Sequence, residues 1–436
     1  MTDYTKNMER DIYKHLQDWK SSPRRKPLVL HGARQVGKTY AIKHFAKEHY
    51  HNLIYINFEK DEKLSNYFQD TLDPKQLLKI LSIHFEEEIL PKQSLLFFDE
   101  IQECPKALNS LKYFQEEANE YHLIAAGSLL GVKLAKEKGF PVGKVNFLSL
   151  YPLTFFEFLS ATGHEHLRAF LTEHLSYEPL PQPIHEKLTS LLRFYFFIGG
   201  MPEAVAEYIK QEKLSIVREV QIEILEAYER DFSKHAPKEE IMNILTIWKQ
   251  IPRQLAKENK KFIFAAIRKS ARGRDYETAI QWLTDAGLIH KSYLVETPKF
   301  PLNAYADTHT FKLFLSDVGL LGAQSQLSPQ MILEGHMLFT EFKGAFTENY
   351  VAQELTALKK SLYYWTSSGS AEVDFLLETD HEIYPLEVKA GVSSKKKSLL
   401  VYGEKYKPPK LARATLMNLK QDGMIYNYPL YLMSLL

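Results

Sequence analysis

Cysteine is almost missing from this chain: of 436 residues only Cys104 carries a thiol. That excludes an intramolecular disulfide and a cysteine-built zinc cluster, and the expected compartment is a reducing one. Charge of one sign is missing as well. Lys and Arg number 55 against 54 Asp and Glu, a formal net charge of +1, so a uniformly basic nucleic-acid binder is excluded and any such contact must come from a local patch. No apolar run approaches the roughly 20 residues of a membrane-crossing helix; the longest, around Phe194 to Met201, is far shorter. Residues 1–6 lack the apolar core of a secretion signal, and the expectation is a cytoplasmic protein with no membrane association. Solenoid repeats and low-complexity tracts are also lacking. An apolar content of 45% with 25% charged residues is that of an ordinary globular chain, long enough for two to three domains with separate cores.

What is present begins with Gly32-Ala33-Arg34-Gln35-Val36-Gly37-Lys38-Thr39. This string satisfies the phosphate-cradling loop pattern at every position. The apolar run Leu28-Val29-Leu30 supplies the strand before it and Ala41-Ile42-Lys43-His44-Phe45 the helix after it. All eight residues are expected to bind ATP: the glycines turn backbone N–H groups inward, Lys38 reaches the β and γ phosphates, and the Thr39 hydroxyl ligates Mg²⁺. A second strand, Leu95-Leu96-Phe97-Phe98, delivers Asp99 and Glu100. Asp99 is the expected Mg²⁺ partner, and Glu100 is suited to polarising a water for attack on the γ phosphate. A third, Leu123-Ile124-Ala125-Ala126, leads to Ser128, either a γ-phosphate sensor or a plain Gly-Ser turn.

Changes of pattern divide the chain. Residues 1–176 read as an α/β nucleotide domain, opened by a helix near 8–20 and closed by the proline-rich break at 177–183. Residues 185–235 read as helices. Residues 236–325 have the order of a winged helix: helices at 239–250, 251–268 and 274–286, then wing strands at 288–294 and 311–315. Arg268, Lys269, Arg272 and Arg274 collect at the start of the third helix, where relatives of this shape meet DNA; a packing module with solvated arginines is the alternative.

Residues 326–436 hold a second constellation. Glu348 lies on a helical stretch at 344–355, Asp374 on a strand at 372–377, and Glu387 and Lys389 share one face at the end of the next strand. Asp374, Glu387 and Glu348 are the expected ligands of one or two Mg²⁺ ions, and Lys389 the catalytic group that neutralises charge on a phosphate. This is the PD-(D/E)xK nuclease signature. Pro385 sits awkwardly for a central strand, and Lys395-Lys396-Lys397 opens a helix that would face a phosphate backbone or plain solvent.

The strings GARQVGKT, FFDEIQ, AAGSLL, PLTFFEF at 152–158 and GGMPEAV at 199–205 resemble a group of prokaryotic AAA-type ATPases that carry a C-terminal domain of unknown function. The resemblance spans nearly the whole chain. It implies an α/β P-loop NTPase core of AAA type, a helical and winged-helix region, and a C-terminal α/β restriction-endonuclease-like domain. Where the group tends to have Gly-Arg, this chain has Gly143-Lys144, a point charge in place of a planar fork. Two functions share these motifs. One is an ATPase coupled to a Mg²⁺-dependent DNA-processing tail; the other is an ATP-dependent switch that grips DNA or a protein partner with an inert tail. Self-association is left open by both.

Overall fold

The computed structural model describes residues 8–128, 132, 143–174, 176–257, 261–267, 269, 271–333, 340–367, 371–391 and 396–436. Arg268 and Lys395 lie outside the described residues. Two compact units are present, one holding Glu9–Tyr151 and Asp285–Gly287, the other Pro152–Thr284 and Leu288–Leu436. The division at 151/152 precedes the proline-rich break at 177–183.

In the first unit, β1 (Leu28–His31), β2 (Asn52–Asn57), β3 (Ser94–Asp99), β4 (His122–Ala126) and β5 (Asn146–Ser149) form a sheet of order β2-β3-β4-β1-β5. All four pairings are parallel. Parallel strands are covered on both faces, which is why β3 and β4 are apolar runs buried at every position. Helices Glu62–Asp70 and Pro74–Phe85 begin at Asp61 and Asp73, whose carboxylates accept the first free N–H groups. These helices and Pro105–Glu117 bury one core with Ile54, Ile56, Leu96 and Phe98. Phe98 meets Phe58 and Phe68 edge-on at 5.7 and 5.4 Å; truncating such a ring to alanine costs about 3–5 kcal/mol. Because β1, β4 and β3 run parallel, the loop after β1 and the acids at the end of β3 open at the same carboxyl edge.

The second unit joins helices Gln182–Ile198, Pro202–Gln211, Leu214–His235 and Ile241–Leu255 to a mixed sheet. Its strands are β6 (Ile289–Val295), β7 (Ala306–Leu315), β8 (Leu362–Ser367), β9 (Ala371–Glu378), β10 (Ile383–Val388), β11 (Leu411–Thr415), β12 (Lys420–Asp422) and β13 (Ile425–Pro429). The order is β12-β13-β11-β10-β9-β8-β6-β7. The pair expected as a free wing, β6 and β7, is therefore one end of a sheet that continues into the tail, since β6 offers its second edge to β8 in parallel. The helices expected at 239–250 and 251–268 are instead one helix, Ile241–Leu255, running through Pro252. Proline has no N–H for the Trp248 carbonyl, and the Gln324 amide fills that place at 3.0 Å. Pro385 likewise lies in a central strand, where the ladder to β11 begins only at Leu386, beyond the proline. Helix Thr340–Ala357 is tied to the end of β7 by Asn349, which exchanges two hydrogen bonds with the Leu315 backbone.

Candidate functional site

The loop after β1 is built by its backbone before its side chains. Gly32 has φ 151° and Gly37 has φ 92°, and a Cβ on Gly32 would stand 2.1 Å from the Leu150 carbonyl oxygen. Ala33 and Val36 are buried anchors, Arg34 is half-buried, and Gln35 is exposed with a left-handed φ of 67°. Lys38 and Thr39 open helix Lys38–His49. The Lys38 ammonium is buried and donates to the Gly32 and Ala33 carbonyls, both at 2.8 Å. Burial pulls its pKa down to about 8, with the Glu100 and Asp99 carboxylates pulling back.

Asp99 and Thr39, sixty residues apart, are brought together: the Thr39 hydroxyl donates to Asp99 Oδ2 at 2.9 Å. Burial raises the Asp99 carboxyl above its ordinary range, against the lowering effect of that hydrogen bond. Glu100 takes a left-handed backbone, φ 49°, and its Oε2 accepts from Ser128 Oγ at 3.1 Å and from Gln102 Nε2 at 2.5 Å. Ser128, read as a phosphate sensor or a turn, thus lies beside the acid. Lys144 faces Glu116 at 2.9 Å across a partly exposed surface.

Three residues make contacts here that were not legible in the sequence. Tyr55 on β2 donates to Asp99 Oδ2 at 3.0 Å. Gln102 holds Glu100. Arg10, read only as part of an opening helix, is buried and donates to the Val36 carbonyl at 3.2 Å and the Tyr151 carbonyl at 2.6 Å. The hard oxygen donors Thr39 and Asp99 fit Mg²⁺, and a buried lysine on carbonyls that a phosphate can replace fits a nucleotide.

In the tail, Glu348, Asp374 and Glu387 are all buried, but lysines attend them. Lys389 forms an ion pair with Glu387, and Asp374 Oδ2 accepts the Val388 N–H at 2.7 Å. Lys312, which the sequence reading passed over, has no exposed side-chain surface; it lies 2.5 Å from Glu372, 3.8 Å from Glu348 and 4.8 Å over the Tyr364 ring. Its signal was a cation inside the otherwise apolar Phe311–Leu315 run. Burial pulls the Lys312 pKa down, yet Glu348, Glu372 and Asp374 hold it above its ordinary value. Among the described residues no group of three His, Cys, Asp or Glu side chains is placed to hold a metal ion. Of the expected trio, Glu387 Oε1 pairs with Lys389, Asp374 Oδ2 accepts a backbone N–H and Glu348 Oε2 lies 3.8 Å from Lys312. Glu387 Oε2 is buried with no hydrogen-bond partner among the described residues, and burial, then Asp374, push this carboxyl up to about 8.

At the start of the third expected helix, Arg272 and Arg274 are exposed, and Arg274 lies 3.8 Å from Asp275. Among the described residues no helix is long and apolar enough to cross a membrane.

Residues 24–159 match the AAA domain family, residues 189–331 a domain of unknown function (DUF8612), and residues 343–431 another (DUF4143). The similarity to AAA-type ATPases thus covers the part of the chain that carries the loop and its acids. No curated protein matches the chain. Among solved structures, a Walker-type ATPase of Pyrococcus abyssi is 16% identical with a TM-score of 0.45, covering 73% of this chain and 96% of its own. Cdc6p of Pyrobaculum aerophilum is 15% identical with a TM-score of 0.30, over 74% and 93%. The Aeropyrum pernix Orc1 protein in complex with DNA is 13% identical with a TM-score of 0.29, over 75% and 95%.

Proposed function

We propose that residues 32–39 bind ATP with Mg²⁺, that Asp99 and Glu100 carry its hydrolysis, and that turnover drives a binding switch in the rest of the chain. The observation that carries this reading is the 2.9 Å contact between Thr39 and Asp99 beside the buried Lys38. Lys38 exchanges the Gly32 and Ala33 carbonyls for phosphate oxygens. Glu100 orients the attacking water and takes its proton at the carboxylate, while Ser128 and Gln102 fix which way that carboxylate points. Mg²⁺, when bound by Thr39 and through Asp99, neutralises charge on the β and γ phosphate oxygens. The test is phosphate release from ATP by the full chain with Mg²⁺ and with EDTA: release that needs Mg²⁺ and vanishes in Lys38→Ala is expected, and a wild-type chain that neither binds nor hydrolyses ATP sinks the reading.

For the tail, the lysine-attended carboxylates favour a scaffold that grips DNA or a protein partner and cleaves nothing. The nuclease reading, with Glu348, Asp374 and Glu387 on Mg²⁺ and Lys389 on the phosphate, is second. It draws its support from Glu387 Oε2, which is buried with no hydrogen-bond partner among the described residues. Plasmid and linear DNA incubated with Mn²⁺ and ATP separate the two: nicking that disappears in Lys389→Ala would reverse the order.

A further inference from the structure

Tyr55 belongs to no motif, yet it touches Asp99, the acid assigned above to Mg²⁺. The parallel register sets Asn57 opposite Asp99 and Tyr55 opposite Phe97. Alternation along a strand therefore puts Tyr55, Asn57 and Asp99 on one face of the sheet. The phenol leans forward along that face and donates to Asp99 Oδ2 at 3.0 Å, the same oxygen that receives the Thr39 hydroxyl. Asp99 Oδ1 receives the Glu100 N–H at 3.2 Å.

The direction of the phenol's hydrogen bond is set from behind. Asn57 Nδ2 donates to the Tyr55 oxygen at 3.2 Å, which leaves the phenol proton for Asp99. Asn57 is itself fixed, its Oδ1 accepting the Glu59 and Lys60 N–H groups at 3.1 and 3.0 Å. The Lys43 ammonium stands 3.6 Å over the Tyr55 ring and, by drawing on its electrons, strengthens the phenol as a donor. Lys43 is one helical turn beyond Thr39, so both partners of Asp99 Oδ2 are served from helix Lys38–His49.

We propose that Tyr55 is a positioning residue of the nucleotide site: it holds the Asp99 carboxylate in the rotation that presents it to the ion bound with ATP. The phenol acts through the Asp99 carboxylate, to which it donates, so its effect appears only when Mg²⁺ is present. This rests on the ATP and Mg²⁺ reading given above.

Tyr55→Phe keeps the ring against Phe97 and under Lys43 and removes one hydroxyl. The test is ATP affinity of the full chain, wild type and variant, by titration in Mg²⁺ and in EDTA, with the melting temperature measured alongside. Loss of such an outer partner commonly weakens metal affinity by about 10–100-fold. The gain in ATP affinity that Mg²⁺ gives should therefore shrink by about tenfold or more in Tyr55→Phe, while affinity in EDTA and the melting temperature stay at wild-type values. A gain equal to wild type overturns the role of Tyr55 alone. Equal loss in Mg²⁺ and EDTA also overturns it, since that marks a merely structural part. A wild-type chain indifferent to Mg²⁺ overturns this proposal and the reading beneath it together.

Discussion

Asp317 accepts the N–H of Gly200 at 2.6 Å, and the pair joins the GGMPEAV stretch to the cap of helix Val318–Gln324. A Cβ on Gly199 would stand 2.3 Å from Asp317 Oδ1, and one on Gly200 only 2.1 Å from the Leu153 carbonyl oxygen. Such overpacking costs roughly 1–3 kcal/mol or more. Gly200→Ala should therefore lower the melting temperature of the chain, read by circular dichroism, while ATP affinity holds.

Glu100→Gln and Lys38→Ala should fail differently. The amide keeps the shape of Glu100 and its neighbours Ser128 and Gln102 but cannot take a proton, so turnover should fall by about 10²–10⁴ with ATP affinity kept. Lys38→Ala should lose affinity as well. Wild-type turnover in Glu100→Gln, measured as phosphate release, would remove the acid from its assigned part.

Arg10 links the loop to the end of the first sheet through two backbone carbonyls. Leaving such buried groups unpaired costs about 1–3 kcal/mol. Arg10→Ala should reduce both stability and ATP affinity, and Arg10→Lys, with no planar fork for two carbonyls, should recover only part. Unchanged titration curves would reduce Arg10 to a packing residue.

The raised Glu387 carboxyl carries a pH signature. With a folded value of about 8 above the ordinary 4.5, its contribution to stability is full below 4.5 and is lost as pH rises through about 8. Lys389 is also raised, its carboxylate neighbours outweighing burial, so its own contribution is lost only in more alkaline solution. The chain should melt lower at pH 9 than at pH 6, and Glu387→Gln, neutral throughout, should narrow that difference.

If the basic cluster meets DNA, Arg272→Ala with Arg274→Ala should weaken binding and reduce the slope of affinity against salt by about 2, one unit for each lost phosphate contact. Phosphate release should be unaffected. Identical salt series for the double variant and wild type would return the cluster to solvent.

The strand, turn and helix around residues 32–39 were legible because an apolar run, two glycines that take positive φ and a helical pattern follow in order, and the strand before Asp99 was legible as an uninterrupted apolar run. The PLTFFEF and GGMPEAV strings were recognisable without being explicable. In the fold, Thr154 and Glu157 close a reciprocal cap, and the paired glycines make room for Asp317 and Leu153. Tyr55, Arg10 and Lys312 escaped notice because their partners lie far along the chain: only strand register places Tyr55 near Asp99, and only a folded sheet brings Lys312 to Glu372. The junction of β6 with β8 was equally hidden, pairing Ser292 with Leu362 across a stretch that reads as a domain boundary.

That junction limits how the chain can be taken apart. The hairpin β6 and β7 falls within the match to one domain of unknown function and β8 to β13 within the match to the other, yet they share a single hydrogen-bonded ladder. A fragment starting at residue 326 would bare the β8 edge to any passing strand, including its own copies. The two matched regions are thus not interchangeable cassettes: transplanting the tail into another protein means carrying the hairpin with it.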